Sequence, residues 1–411
     1  MGDVKARWLL LAITLGSLAC DSTDETVLPT GGSGGVAGSA TAVGAAGTGG
    51  ATSSGGSGGV HVGGGSGAAD CALPDPTDHT DGVLNEALPG CWRPFRDDSP
   101  WNRTIPDDPP IHPDSDAIVA TLEQEASNVR FSGSYVPPLW VINSAHVTKY
   151  QWESSGYIYY ESHTTPPFVG DGNPRDGITD EAWPASAAMW GESTADGHIT
   201  LIDLADPSAP LAIEASRYAW NGSATYPPTC TTFNIWDLLG EGVAYPPTSI
   251  PGRGAVGGRG AGFPVVAGLL RPEEVEEDLI DHALVFTFNR NRTDTYLSPP
   301  AARSDGAAGT GTELPAEGML LQLDPAFDVT TLGSVHAQRV ARALQQYGMY
   351  DGDNGGAMAI SVQALAPSPT DHRNAWEARA PGMYDDIEGI PVSALRVIDT
   401  GQTLGAQLLT D

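Results

Sequence analysis

Two histidines at the ends of apolar runs are the side chains best placed to move a proton. His198 follows Asp196-Gly197 at the start of a predicted strand, and His282 stands directly before the apolar run 283–288. Each could act as a general base or a metal ligand, although a histidine in such a place is more often a hydrogen-bonded structural residue. Asp281 is not expected to orient the His282 imidazole, because adjacent residues of a strand point to opposite faces.

A tyrosine and several oxygen ligands lie at the end of the most regular helical segment, 334–350, and just beyond it. Tyr347 could donate a proton, and Asp353 could serve as an acid, a base or a Ca²⁺ ligand. An EF-hand is excluded, because position 12 counted from Asp351 is Val362 rather than Glu. The candidate catalytic residues are therefore His198, His282, Tyr347 and Asp353.

Calcium is the one cofactor that the sequence leaves open. Oxygen-rich side chains cluster at 351–354 and again at 171–180. At either place the alternative is an ordinary loop held by Asx-turns. We assign no metal-binding residues and expect no other cofactor.

Arginine, aspartate and tryptophan in or near loops are the candidates for binding a substrate. Arg259, Arg303 and Asp305 stand in loops among glycines, and loops on a rigid β-scaffold are where binding sites concentrate. An arginine there could neutralise a uronate carboxylate, or it could pair with one of the many acids. Trp190 belongs to the aromatic-rich region 140–236, where exposed rings could stack on sugars while most rings form core.

Several enzyme classes are excluded because their motifs are missing. The folded part of the chain contains no G-x-S-x-G elbow, no Walker A motif and no H-E-x-x-H. The glycine-rich stretch 257–262 precedes a predicted strand at 265–270 instead of opening a helix. It therefore predicts a tight turn with close backbone approach rather than a dinucleotide-binding loop.

The charge of the chain excludes two classes of partner. Twenty basic residues stand against 51 acidic ones, a net charge of −31, and Lys5 and Lys149 are the only lysines. Such a negative field disfavours nucleic acid and anionic lipid headgroups. Neutral partners remain, and we expect a monomer.

The first 70 residues predict export rather than fold. Residues 1–20 have a basic start and a short apolar stretch, and end in Ser-Leu-Ala-Cys, which resembles a bacterial lipoprotein box with Cys20 as the lipidated residue. The alternative is an ordinary signal peptide cut after Ala19. Residues 21–70 are rich in Gly, Ser and Ala, which predicts a flexible tether. Residues 71–411 are long enough for a single globular domain.

Three cysteines remain in the predicted domain, Cys71, Cys91 and Cys230. An exported chain sits where disulfides persist. Cys71 and Cys91 bracket one loop and are the favoured pair, with Cys91–Cys230 as the alternative. Their spacing matches no zinc site.

Short apolar segments separated by Pro and Gly every eight to fifteen residues indicate a mainly β domain. We predict a β-sandwich, jelly-roll-like, with one or two peripheral helices. The helices are placed at 116–124 and 334–350, where apolar residues recur at helical spacing.

Several short motifs occur in an order that resembles a widespread set of secreted bacterial β-rich domains. They are SPWN at 99–102, DGH at 196–198, RGAG at 259–262, IDHAL at 280–284, RSDG at 303–306, and LQQYG at 344–348 with DNG at 353–355. The resemblance covers about residues 99 to 400 and implies a single exported β-rich domain. It carries no activity and no catalytic assignment.

These observations together predict a lipoprotein on the outer membrane or cell surface that acts on a polysaccharide. The reaction would be hydrolysis, which needs two carboxylates, or β-elimination, which needs a base, an acid and a cation beside a uronate. The alternative is a non-catalytic surface lipoprotein that binds carbohydrate or protein. The membrane would be contacted through the lipid anchor alone.

Overall fold

The computed structural model describes residues 87–154, 158–160, 182–194, 196–220, 228–244, 257–293 and 295–406, together with 71, 73–74 and 83–84. They all belong to one compact unit, Ser57–Asp411. The predicted signal, the predicted lipidation site Cys20, the predicted tether and the 171–180 segment lie outside the described residues.

The described residues form five α-helices and eighteen strands. The helices are α1 Ser115–Glu125, α2 Pro272–Glu277, α3 Val335–Gln346, α4 Pro369–Arg379 and α5 Met383–Asp386. The strands are β1 Val83–Leu84, β2 Arg130–Phe131, β3 Leu139–Ile142, β4 Lys149–Tyr150, β5 Glu153–Ser154, β6 Ile158–Tyr160, β7 Trp183–Pro184, β8 Ile199–Asp203, β9 Leu211–Ser216, β10 Thr229–Cys230, β11 Thr232–Asp237, β12 Leu284–Phe288, β13 Thr295–Ser298, β14 Leu320–Leu323, β15 Met349–Asn354, β16 Ala359–Ile360, β17 Leu395–Ile398 and β18 Thr403–Ala406.

Two six-stranded sheets carry the fold. The first has the order β1-β3-β8-β9-β11-β6 and the second β17-β14-β15-β12-β16-β2. Both are mixed, because β3–β8 and β11–β6 in the first sheet and β12–β15 and β16–β2 in the second are parallel pairs. The prediction of a β-rich fold is confirmed. The jelly-roll prediction is not, because a jelly roll has antiparallel neighbours throughout and both sheets contain parallel pairs. Parallel neighbours need long crossovers, and the crossover from β12 to β15 includes α3.

The two sheets separate three apolar cores, because alternate side chains of a strand point into different cores. Ile199 and Leu201 of β8 face one core, and Ile202 faces the opposite one. Val285 of β12 and Tyr350 of β15 share the core of Ile202, so this core lies between the sheets. The third core packs the other face of the second sheet against the helices. The end of the inter-sheet layer is where polar side chains converge.

The two helices predicted at 116–124 and 334–350 are present as α1 and α3. Ser334 caps α3 by accepting from the backbone N–H of His336, and Gly348 adopts φ 75° where the chain turns away after the helix. The apolar run 265–270 differs from its prediction. It is buried but forms turns, with Gly268 at φ 62°, and is not a strand.

The disulfide Cys71–Cys91 is present, and Cys230 is a buried thiol in β10. The segment around Cys91 is held by Arg271, whose guanidinium donates to the carbonyls of Leu88 and Trp92. Among the described residues, no helix is both long and apolar enough to cross a membrane.

Candidate functional site

A row of buried polar side chains crosses the first sheet on its inner face. Thr200 of β8 lies opposite Glu214 of β9, which lies opposite Asn234 of β11, and all three are fully buried. His198 precedes Thr200 by two residues, and alternation on a strand places it on the same face nearer the sheet end. The inner face of this sheet is therefore polar at one end and apolar at the other.

Glu214 is the most tightly held member of this row. Its Oε2 accepts from Trp236 Nε1 and the Val265 N–H, and its Oε1 accepts from the Val266 N–H. Burial nevertheless raises the pKa of Glu214 to about 7, because three hydrogen bonds and the nearby Arg259 only partly offset the loss of water.

Arg259 is the cation around which the acids gather. It is 6% exposed, and its Nη2 donates to the Val265 carbonyl at 3.1 Å and to Ser361 Oγ at 2.9 Å. Burial lowers its pKa, while the charges of Asp353 and Glu214 raise it. Since a guanidinium stays charged in proteins, Arg259 supplies a fixed positive charge between the two sheets.

The loop that carries Arg259 depends on glycine. A Cβ on residue 258 would lie 2.1 Å from Val265 Cγ2, and Gly262 has φ 81°. At residue 260 a Cβ would lie 2.4 Å from Asp305 Oδ1 and 2.8 Å from Asp353 Oδ1. Glycine therefore lets the backbone pass close to two carboxylates.

Asp305 and Asp353 form a carboxylate pair beside Gly260. Asp305 is exposed and accepts from the Asn354 N–H at 3.2 Å, while Asp353 is partly buried at the end of β15. Burial raises the pKa of Asp353 to about 7, and the neighbouring charge of Asp305 adds to this effect. Arg303 donates to the Arg259 carbonyl at 2.7 Å, which brings a second cation beside the pair.

A second layer of acids lies behind the pair. Asn291, Glu317 and Asp351 are fully buried, and Asn291 Nδ2 donates to Asp351 Oδ1 at 3.2 Å and to Glu317 Oε1 at 3.5 Å. Burial holds the pKa of both acids well above the usual range, and Asp305 raises them further. These acids therefore keep their protons to a higher pH than exposed carboxyls do.

The structure brings together five of the residues that the sequence singled out. They are His198, Arg259, Arg303, Asp305 and Asp353. The other three lie elsewhere. Trp190 packs edge to face on Trp140 at 5.8 Å.

Tyr347 and His282 lie at the opposite end of the second sheet. Strands β12 and β15 run parallel, and Met349 pairs with Leu284 while Asp353 pairs with Thr287. Tyr347 and His282 precede these strands, so the length of the strand, at least about 13 Å, separates them from Asp353.

The partners of these two residues are local. His282 is 3% exposed and bonds Glu274 Oε1 at 3.1 Å and the Ala283 carbonyl at 2.9 Å. Tyr347 donates to Asp281 Oδ1 at 3.5 Å and packs between the sheets. Both therefore belong to the scaffold.

Sequence reasoning missed Glu192, Glu214, Asn291 and Glu317. One signal was available for Glu214, because it is the lone acid in the apolar run 211–215, and a charge inside a buried strand needs partners. Asn291 and Glu317 lie in irregular segments and carry no periodic signal.

The chain was compared with family models, with curated proteins and with solved structures, and none of them matches it.

Proposed function

We propose that this protein is a glycan hydrolase whose reaction takes place at the carboxylate pair Asp305 and Asp353. The observation that carries the proposal is the meeting of these two carboxylates beside Gly260, with Arg259 and Arg303 next to them. Glycoside hydrolysis needs two carboxyl groups, one that protonates the leaving oxygen and one that attacks or activates water.

The environments of the two carboxyls assign their roles. Asp353, with its pKa raised to about 7, holds a proton near neutral pH and acts as the general acid. Asp305 is exposed on its loop and receives the Asn354 N–H, so it acts as the nucleophile. Their Oδ1 atoms lie 2.4 and 2.8 Å from the same point and are thus no more than about 5 Å apart, which is closer than the carboxyl pair of an inverting enzyme and favours the retaining mechanism.

His198 supports β-elimination as a second candidate reaction. Burial, together with Arg259, lowers the pKa of His198 to about 4, so its imidazole is neutral near neutral pH. A neutral imidazole beside a guanidinium could abstract the proton next to a uronate carboxylate. This reaction leaves an unsaturated product, which distinguishes it from hydrolysis.

The wider setting of the proposal is an exported, lipid-anchored protein on the outer membrane or cell surface. The Cys71–Cys91 disulfide supports an oxidising compartment. In this proposal Cys20 carries the anchor and 21–70 the tether. The two mixed sheets serve as the layers of a sandwich, with the carboxylate pair at one end of the seam and a polysaccharide as the partner.

A panel of neutral and uronate-containing polysaccharides tests the proposal on the full-length protein. We expect new reducing ends from one class of glycan, without the ultraviolet absorbance of an unsaturated uronate. Asp305→Asn should abolish the signal, and Asp116→Asn, an exposed acid on α1, should keep it. Absorbance together with reducing ends would favour elimination. Retarded migration in a polysaccharide gel without products would favour the non-catalytic binding protein and overturn the enzyme proposal.

A further inference from the structure

A turn just before β8 brings three metal-ligand side chains together. Glu192, Asp196 and His198 each offer one ligand atom, and these atoms all lie within 4.8 Å of one another. The turn is fixed by the Glu192 N–H, which donates to the His198 carbonyl at 2.9 Å, and by Gly197 at φ 50°. The backbone therefore holds the first and last of the three residues side by side.

The second observation is that Glu192 and His198 carry buried polar atoms with no partner among the described residues. Glu192 is 7% exposed, and neither of its carboxylate oxygens has a hydrogen-bond partner among the residues that the structure describes. Thr194 and the His198 backbone are close enough to act on its charge, but neither makes a bond of normal geometry. His198 Nδ1 is likewise buried and unpartnered within the described part.

A buried carboxylate without a partner is costly, because it has lost its water and gained nothing in return. Native proteins resolve this cost with a hydrogen bond, a neutralising proton or a metal ion. A histidine nitrogen and a second carboxylate at ligand distance favour the metal ion here.

We propose that Glu192, Asp196 and His198 bind one divalent transition-metal ion, of the Zn²⁺ or Mn²⁺ class. Imidazole suits Zn²⁺ and related ions and is a poor ligand for Ca²⁺, whereas carboxylate oxygens accept both classes. Two carboxylates match the charge of the ion, and three protein ligands leave a coordination position for water or another oxygen ligand.

The local geometry and charge allow the ion to enter. Ligands around a tetrahedral Zn²⁺ lie about 3.5 Å apart, so the three side chains close by about 1 Å. Asp196 is exposed and gives a path from solvent. Two opposing charges lie nearby: Arg217 acts on Asp196, and Arg259 acts on Glu192 and His198. Asp353 and Glu214 act on Arg259 more strongly than Glu192 does. The inference stands apart from the proposed hydrolysis at Asp305 and Asp353, since binding of the ion needs no substrate. It competes with the elimination reaction, because His198 would hold the ion instead of acting as the base.

Calorimetric titration of the chelator-treated, full-length protein with Zn²⁺ and with Mn²⁺ tests the site, with bound metal counted by elemental analysis. We expect one ion per chain, a raised unfolding temperature, and far weaker binding of Ca²⁺. His198→Ala and Glu192→Gln should each weaken binding about 100-fold or more, because they remove a ligand rather than a supporting group. His146→Ala, an exposed histidine, should leave binding unchanged.

Glu192→Gln and one further variant, Asp196→Asn, guard against loss of folding. Glu192→Gln removes an unpartnered buried charge, so the metal-free variant should unfold at or above the temperature of the wild type. Asp196→Asn changes an exposed residue and should weaken binding without loss of folding. Wild-type protein that binds no ion, or variants that bind as well as the wild type, would overturn the inference, as would tighter binding of Ca²⁺ than of Zn²⁺.

Discussion

Replacing Arg271 by methionine tests how the scaffold is held at the end of the second sheet opposite the site. Arg271 is 2% exposed, and its Nε and Nη2 donate to Glu274 Oε1 at 3.0 and 2.7 Å. It also donates to carbonyls of Leu88 and Trp92 and stacks on the Trp92 ring at 5.1 Å. Methionine keeps much of the apolar contact and removes every one of these donors.

The magnitude follows from what is left behind. Glu274 is 1% exposed, and without Arg271 it becomes a buried carboxylate whose remaining partners are His282 and one backbone N–H. Removing one partner of a buried ion pair typically costs about 3–5 kcal/mol. Because domains are stable by about 5–15 kcal/mol, the loss is a large share of the total.

Urea unfolding followed by tryptophan fluorescence measures this loss, with Arg342→Met as the matched control. Arg342 is exposed and pairs with Asp278 at 3.1 Å, so its removal should cost less than about 1 kcal/mol. The double variant Arg271→Met, Glu274→Gln should recover part of the loss, since no charge is then buried alone. If Arg271→Met costs no more than Arg342→Met, the buried network does not hold the scaffold.

Three further predictions concern titration, sterics and the disulfide. Burial raises the folded-state pKa of Glu214 from 4.5 to about 7, so its contribution to stability is lost as pH rises through this window. The free energy of unfolding of the wild type should therefore be higher at pH 5 than at pH 8, and Glu214→Gln should make this difference smaller by about 2–3 kcal/mol. A difference of the same size in the variant would contradict the assignment. Gly260→Ala should push the carboxylate pair apart and slow glycan cleavage about 100-fold, whereas Gly133→Ala, with open space around it, should not; equal rates would refute the steric argument. Cys71→Ser should lower the free energy of unfolding by about 3 kcal/mol, because the lost disulfide to Cys91 no longer restricts the unfolded chain. Calorimetry checks this, and reductant should destabilise the wild type but not the variant.

Helices and strands with strong periodicity could be predicted from the sequence. Helix α3 has a clear apolar stripe and a serine cap, and β12 is a nearly continuous apolar run. Helix α4 was missed because His372 and Trp376 are its only buried residues, too few to set a pattern. The run 265–270 looked like a strand, but it turns at Gly268 and packs as a buried loop.

The site could be predicted only in part. The glycines next to Arg259 and Asp305 indicated two of the loops that form the site, because such loops allow the backbone to approach closely. The separation of Tyr347 from Asp353 could not be foreseen, since it depends on β12 and β15 running parallel. The gathering of Glu214 around Arg259 depends on long-range packing between the sheets, which a local pattern does not contain.

The central claim is that Asp353 is the acid of a carboxylate pair that cleaves a glycan. The most direct measurement is the initial rate of reducing-end release by the wild type and by Asp353→Asn on the most responsive polysaccharide, from pH 5 to pH 9. The account predicts a wild-type rate that falls as pH rises through about 7, where Asp353 loses its proton, and a variant slower by about 10²–10⁴-fold. A variant that keeps the wild-type rate and its pH profile would contradict the account.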